Sequence, residues 1–199
     1  MSWSTFRNLD ASPEQIASYA SALDALHAFH DALSSAAPDA ATLDRLAADL
    51  QQWTKELAPQ ARPELERLAG RLPSLPVRGH PAIPPVLIET ADAERVEGTV
   101  TFGAFFLGGG GAAHGGTIMT VFDEVLGVLA VAQTHQGART AYLKTDFRSL
   151  VPLDTPLRVS AWIDRTEGRK HFVRGEMRDG DTLCAEADAL FLEVRDLTP

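Results

Sequence analysis

The most informative segment of this chain is Leu107-Gly-Gly-Gly-Gly-Ala-Ala-His114-Gly-Gly-Thr-Ile-Met-Thr-Val-Phe-Asp123-Glu124. Two glycines follow His114, an almost wholly apolar run then begins, and the carboxylate of Asp123 lies well inside that run. Glycines at the start of a helix leave backbone N–H groups bare and open to an anion or a developing oxyanion. A carboxylate in an apolar helix is costly to desolvate unless the protein uses it. The segment therefore indicates acyl-transfer chemistry.

The residues before Pro73 predict an N-terminal helical extension, which we place at residues 1–74. Ser12-Pro13-Glu14-Gln15 combines a helix N-cap, a proline at the first helical position and a capping-box partner. A second helix follows Pro38, and Pro63 begins a third, shorter one. The second helix has an apolar stripe with regular three-four spacing: Leu43, Leu46, Leu50, Trp53 and Leu57. Because narrow stripes need a partner, we expect these helices to dock on one another or on the main domain.

Residues 75–199 form the second predicted domain, after a proline-rich linker. A strand over Arg95–Phe106 precedes the glycine run and the apolar helix, which ends near Gln133. Four strand-like runs follow, at 141–147, 157–163, 171–177 and 183–194. A helix that is apolar on all sides must be surrounded. The pattern therefore predicts an α+β fold in which a curved antiparallel β-sheet wraps around a long central helix.

Composition narrows the classes of protein. The chain has 199 residues, of which 45% are hydrophobic, a net charge of −9 and a single cysteine, Cys184. These properties, with no secretory signal pattern near the start, predict a cytoplasmic protein that binds no nucleic acid and spans no membrane. Residues 139–178 nevertheless carry nine basic and five acidic side chains. Such a local basic excess suits a phosphate-bearing ligand, although ordinary strand-surface charge is the simpler explanation for any single residue.

Neighbouring residues exclude other interpretations of the glycine run. A phosphate-binding loop ends in Gly-Lys-Ser/Thr, whereas Ala-Ala-His-Gly-Gly stands here. The Gly-x-Gly-x-x-Gly spacing of dinucleotide-binding proteins ends on His114, and the sequence has no Gly-x-Ser-x-Gly elbow of a serine hydrolase. His27 and His30 are three residues apart on a predicted helix. No third ligand is nearby, so we predict no metal site.

The acidic residues of the apolar helix allow more than one interpretation. Asp123 is either catalytic or a structural acid bonded to Thr120 or to distant backbone, and His114 alone is typical of a turn. Glu124 points about 100° away from Asp123, so we expect it to pair with a basic strand residue instead. Gly116 and Asp123 share a helix face but lie about 10 Å apart along the axis. If both act, they come from different subunits, which predicts a symmetric dimer with two composite sites.

The spacing of His114-Gly115-Gly116, six residues and then Asp123 resembles the hotdog-fold acyl-CoA thioesterases of the phenylacetate-pathway type. The segment from Thr140 to Leu153 is similar to the strand that follows their central helix. Glu167-Gly-Arg-Lys170 resembles the branch that includes human thioesterase superfamily members four and five. The resemblance covers about residues 80–195 and leaves the N-terminal helices outside it.

The resemblance implies a central helix wrapped by a five- or six-stranded antiparallel sheet, in a homodimer or homotetramer. It implies that the Gly115 backbone N–H, flanked by His114 and Gly116, polarises the thioester carbonyl. Asp123 matches the catalytic base or nucleophile, and Thr140 matches a hydroxyl that holds water or the carboxylate. The candidates for binding coenzyme A phosphates are Arg148, Arg169 and Lys170. An acyl-CoA substrate would bring its own coenzyme A, so we expect no separate cofactor.

Two other functions suit the same fold. A hotdog enoyl-CoA hydratase or dehydratase would use His114 as its base, although this residue lies nine positions from Asp123. A non-catalytic acyl-CoA sensor or scaffold would use the N-terminal helices for interaction. Release of thiol from acyl-CoA esters distinguishes a thioesterase from both.

Overall fold

The computed structural model describes residues 9–134 and 137–194. Its helices are α1 (Pro13–Ser35), α2 (Ala40–Leu57) and α3 (Gly115–Thr134). Its strands are β1 (Val86–Ala91), β2 (Arg95–Val100), β3 (Leu107–Gly109), β4 (Ala112–Ala113), β5 (Gly137–Phe147), β6 (Leu157–Glu167), β7 (Lys170–Asp179) and β8 (Thr182–Val194). Short 3₁₀ turns lie at 58–60, 64–66, 76–79 and 104–106.

Helix α3 is the centre of the fold, because its apolar side chains need cover on several sides at once. Six strands form one antiparallel sheet in the order β1-β2-β6-β7-β8-β5, and α3 contacts every one of them. Side chains of α3 that are inaccessible to solvent occupy the middle of the core: Val121, Phe122, Val125, Leu126 and Leu129. The predicted α+β arrangement, a sheet around a central helix, is therefore confirmed, with six strands.

Strand β1 is an element that the sequence pattern did not reveal. It directly follows Pro84-Pro85 and pairs along β2 from Val86 opposite Val100 to Ala91 opposite Val96. Prolines are tolerated here because β1 is an edge strand, where one side of the backbone needs no partner. The predicted strand over Arg95–Phe106 is too long, because the chain leaves the sheet after Val100.

The N-terminal helices differ in their partners. Helix α1 packs against the 3₁₀ turn Ala104–Phe106, whereas α2 makes no comparable contact with the sheet or with α1 in the described part of the chain. The apolar stripe of α2 stays accessible, with Trp53 61% and Leu57 60% exposed. Docking of the helices is thus confirmed for α1 and wrong for α2 within the protomer. The third helix predicted after Pro63 is also wrong, since only a 3₁₀ turn forms at Glu64–Glu66.

Helix α3 has the length and apolar composition of a membrane span, and it is the one such helix among the residues described. Half of its most apolar window is buried inside the protein. A core helix enclosed by a sheet needs the same composition, so the fold explains this property.

His171 is a buried titratable side chain on β7. It is 5% exposed, and its Nδ1 lies 2.5 Å from Oε1 of Gln133 on α3. Within the described chain, its buried Nε2 has no hydrogen-bond partner. Burial lowers the pKa of His171 below its usual 6.5, and the carboxylate of Glu193 offsets part of this effect. The folded protein therefore favours the neutral imidazole.

We predict that His171 makes the fold less stable in mild acid. As the pH falls below 6.5, the unfolded chain takes up a proton that the folded chain resists, so stability present at neutral pH is lost. Urea denaturation between about pH 7.5 and 5 measures this loss. His171→Gln should flatten the dependence, and His80→Gln, in the proline-rich segment, should keep it. An unchanged pH dependence in His171→Gln would contradict this assignment.

Candidate active site

His114 organises the start of α3. Its Nδ1 accepts a 3.0 Å hydrogen bond from the Gly116 N–H, and its backbone oxygen accepts from the N–H groups of Thr117 and Ile118. The N–H of Gly115, the first helical residue, has no partner inside the helix. No described residue accepts it either. One backbone donor is thus left bare at the positive end of the helix dipole.

The glycine run forms a tight hairpin that returns the chain to His114. Strands β3 and β4 pair antiparallel, and the glycines at 109–111 all have positive φ, a conformation that glycine adopts without strain. Gly108 meets a different constraint, since a Cβ there would lie 2.7 Å from the His114 Cα. The His114 N–H also donates to the Phe106 oxygen at 2.8 Å. The run therefore fixes the position of His114.

Thr140 on β5 holds Asp123. Its Oγ1 donates a 2.8 Å hydrogen bond to the Asp123 Oδ1. The Thr120 hydroxyl donates instead to the Gly116 oxygen at 3.0 Å, so the alternative of an Asp123–Thr120 bond is wrong. No ion pair involves Asp123 in the part of the chain that the structure describes. The structure thus brings together the two residues that the family resemblance pairs.

The apolar helix around Asp123 predicts that this carboxylate is buried, which is wrong for a single chain. Asp123 is exposed, and the same stripe of α3 lies beside β5, which is the edge of the sheet. On β5 itself Tyr142 is 47% and Phe147 53% exposed. The carboxylate therefore stands on an open, partly aromatic surface of the protomer.

The two halves of the predicted site lie apart in one chain. Asp123 bonds to Thr140 near the start of β5, whereas a Cβ on Gly115 would lie 3.0 Å from the Phe147 Cζ at its end. Gly115 and Asp123 are separated by eight residues, or about 12 Å along α3. One thioester carbonyl therefore cannot contact both groups of the same chain.

Glu124 belongs to a separate feature. Its carboxylate pairs with Arg78, with 3.0 Å between the Arg78 Nη2 and the Glu124 Oε2. Val77 and Arg78 both have positive φ, a costly conformation for a β-branched valine. The pair lines a cleft of about 330 Å³ between residues 73–78, β1 and α3. The expected basic partner thus comes from the proline-rich segment and not from a strand.

The structure does not bring the three candidate phosphate ligands together in one chain. Lys170, next to Arg169, lies opposite Leu192 of β8, whereas the Arg148 N–H donates to the oxygen of Cys184. These two positions on β8 are eight residues apart, or about 26 Å.

Five of the nine basic side chains in residues 139–178 are held in ion pairs. The pairs lie within one strand or join residues in or next to neighbouring strands: Lys144–Asp146, Arg148–Glu186, Arg165–Glu167, Arg174–Asp188 and Arg178–Glu176. Arg169 and Lys170 make no salt bridge within the described residues. They are therefore better placed than Arg148 to meet a phosphate.

The histidines of α1 belong to no group of metal-ligating side chains among the described residues. In residues 9–134 and 137–194, no group of three or more His, Cys, Asp or Glu side chains is arranged to hold a metal ion. The His30 ring instead stacks on Phe105, with 4.3 Å between the ring centroids.

Known proteins have sequences and structures similar to this chain. Residues 110–186 match the family model of the thioesterase superfamily. Bovine acyl-coenzyme A thioesterase THEM4 is 32% identical over 111 residues, which are 55% of this chain and 45% of that protein. Human acyl-coenzyme A thioesterase THEM5 is 27% identical over 95 residues, 47% of this chain and 38% of that protein. The chain spans less than half the length of these curated relatives.

One solved structure extends the likeness to the N-terminal helices. The crystal structure of RHA08564, a thioesterase superfamily protein, has a TM-score of 0.74 and 28% sequence identity to this chain. It covers 93% of this chain and 97% of its own. The covered part of this chain therefore includes most of its N-terminal helical extension.

A six-stranded sheet around a central helix, with a bare backbone donor at the helix start, defines a hotdog thioesterase domain. Over residues 110–186, this chain is similar in sequence to the thioesterase superfamily. The resemblance drawn from His114-Gly-Gly and Asp123 is therefore confirmed at the level of the family.

We predict that neutral His114 carries its proton on Nε2. Because Nδ1 accepts the Gly116 N–H, the proton of the neutral ring lies on the other nitrogen. Imidazole ¹⁵N NMR at about pH 8 should show this tautomer. The signal is assigned by its loss in His114→Asn. Detection of the Nδ1–H tautomer would contradict the hydrogen bond to Gly116.

Proposed function

We propose that this chain hydrolyses acyl-CoA thioesters to a free acid and coenzyme A. The observation that carries the proposal is the Thr140–Asp123 bond, which holds a carboxylate at an open surface beside β5. The bare Gly115 N–H supplies a complementary donor. Several similar proteins are named acyl-coenzyme A thioesterases, which supports the substrate class.

The reaction needs a hydrogen-bond donor to the thioester carbonyl oxygen and a base that takes a proton from the attacking water. The Gly115 N–H stabilises the oxyanion as the water oxygen bonds to the carbonyl carbon. Asp123, oriented by Thr140, takes the water proton. The C–S bond then breaks, and the thiolate of coenzyme A leaves and is protonated. In the covalent route the Asp123 carboxylate expels the thiolate first, and water then cleaves the mixed anhydride.

A second copy of the chain completes the proposed site. Strand β5 is an eleven-residue edge strand, and exposed edges of this length readily pair with another strand. Antiparallel pairing of two β5 strands about a twofold axis near Tyr142 sets the partner subunit's Phe147 opposite Gly137. The partner's Gly115 then lies at the end of β5 where Thr140 holds Asp123. Each of two sites thus combines a donor and a carboxylate from different chains.

The same geometry disfavours a hydratase that uses His114 as its base. Nδ1 is occupied by the Gly116 N–H, and Nε2 carries the proton of the neutral ring, so neither nitrogen accepts a proton from water. A non-catalytic acyl-CoA sensor would keep all of these contacts but release no thiol. Thiol release from a panel of acyl-CoA esters of increasing chain length tests the proposal, and binding without release in every case would refute it.

The composite site predicts complementation between two inactive variants. Asp123→Asn removes the base and should lower kcat about 100-fold or more. Gly115→Pro removes the donor N–H, because proline is tolerated at the first helical position, and should cost about as much. When equal amounts are mixed and reassembled, half of the dimers combine the variants and hold one intact site. About one quarter of wild-type activity should return.

Gly115→Ala is the matched control, because it adds the same Cβ and keeps the N–H. Circular dichroism and size-exclusion chromatography check that each variant folds and assembles. If heterodimers are verified but recover no activity, the proposal that each site combines two chains is overturned. Near-normal turnover in Asp123→Asn would remove the catalytic role of that residue.

The phosphates of coenzyme A provide a second prediction. Combined Arg169→Ala and Lys170→Ala should raise KM for acyl-CoA about 3- to 10-fold, as expected for losing two exposed ion pairs. The increase should shrink at high salt, which screens such pairs. Arg148→Ala, which removes a guanidinium already paired with Glu186, is the control and should change KM less. KM for a pantetheine thioester, which lacks the nucleotide phosphates, should not change. An equal rise in KM for both substrates would contradict the assignment.

A further inference from the structure

Helix α1 reaches the loop before α3 through one carboxylate. The Oδ1 of Asp31, near the end of α1, accepts a 2.9 Å hydrogen bond from the Phe105 N–H, 74 residues away in sequence. Phe105 lies in the 3₁₀ turn Ala104–Phe106, which has no side-chain cap of its own. Asp31 therefore supplies, from another element, the acceptor that the start of a helical turn requires.

The side chains of the same turn are also held. The His30 ring stacks on the Phe105 ring, with 4.3 Å between centroids and 18° between planes. Phe105 in turn contacts Phe106 edge-on at 5.1 Å, and Phe106 packs against the core. Helix α1 thus fixes both the backbone and an aromatic side chain of the turn.

Gly103 shows how closely the carboxylate of Asp31 approaches this turn. A Cβ at Gly103 would lie 2.3–2.6 Å from the three carboxylate atoms. The φ of Gly103 is −81°, which any residue adopts, so the need for glycine here comes from space and not from backbone conformation. A side chain at this position would displace Asp31 from Phe105.

The turn is bonded directly to the residue that organises the donor. The Phe106 oxygen accepts the His114 N–H at 2.8 Å, and Leu107 pairs with Ala113 in the hairpin between them. His114 Nδ1 then accepts the Gly116 N–H, which leaves the Gly115 N–H bare. An unbroken series of contacts therefore leads from α1 to the proposed oxyanion donor.

We propose that α1 is part of the active-site machinery: Asp31, assisted by His30, positions the 103–106 turn and, through His114, the Gly115 N–H. This inference rests on the proposed thioesterase function. Asp31 is a positioning residue, since it acts through the loop. Stabilisation of a developing oxyanion depends on donors that are already held in place, so a loosened turn lowers kcat more than it alters KM.

Three variants test this inference. Asp31→Ala removes the acceptor and should lower kcat about 10-fold, as expected for a lost charge-assisted hydrogen bond, with KM within about twofold of wild type. Asp31→Asn keeps an oxygen that accepts the Phe105 N–H and should recover part of kcat. Gly103→Ala displaces the carboxylate and should resemble Asp31→Ala. Since both act on one contact, the double variant should be no worse than either single one.

Asp24→Ala, at an exposed acid on the same helix, is the matched control and should keep wild-type kcat. Amide NMR shifts of Gly115 and Gly116 give a readout independent of turnover: they should move in Asp31→Ala and not in Asp24→Ala. Thermal melting of each variant reports any loss of the fold.

The outcomes separate this inference from the proposed function. If the wild type is active and Asp31→Ala keeps the wild-type kcat, the inference is overturned and the proposed function stands. A loss of kcat in Asp31→Ala that Asp31→Asn does not relieve, with a falling melting temperature, assigns Asp31 to the fold alone and also overturns the inference. If the wild type hydrolyses no acyl-CoA ester, the proposed function fails. Unmoved Gly115 and Gly116 shifts would then overturn the positioning role as well.

Discussion

The structure depends on one constraint: helix α3 must be covered on most sides while its first N–H and one carboxylate stay accessible. Six strands bury the apolar side chains of α3, including Phe122 and Leu126. The stripe that carries Asp123 lies beside β5, at the open edge of the sheet. The surface where one chain leaves its core helix uncovered is therefore also the surface where we propose that the chemistry takes place.

His114 links several requirements of this site in one residue. Its ring accepts the Gly116 N–H, its backbone oxygen accepts the next helical donors, and its own N–H is held by Phe106. Glycine at 108 allows the hairpin to approach this residue closely. A residue bonded on three sides makes a rigid helix start, and rigid donors are the ones that stabilise developing charge.

The N-terminal extension divides into two helices with different relations to the domain. Helix α1 caps the turn before the glycine hairpin, while α2 leaves its leucines and Trp53 exposed in the protomer. The likeness to RHA08564 covers 93% of this chain, so a thioesterase superfamily protein has a similar extension beside a similar domain. Contacts through Asp31 give α1 a physical reason to remain attached to the domain.

Sequence alone determined the central helix and most strands, because hydrophobic periodicity is a local property. The sequence also indicated Asp123 and Thr140 as site residues, through the family resemblance. Only the tertiary structure decided which distant groups meet. Asp123 meets Thr140, Glu124 meets Arg78, and Phe105 meets Asp31 across 17, 46 and 74 residues. Strand register and helix rotation set such contacts, and no sequence period encodes them.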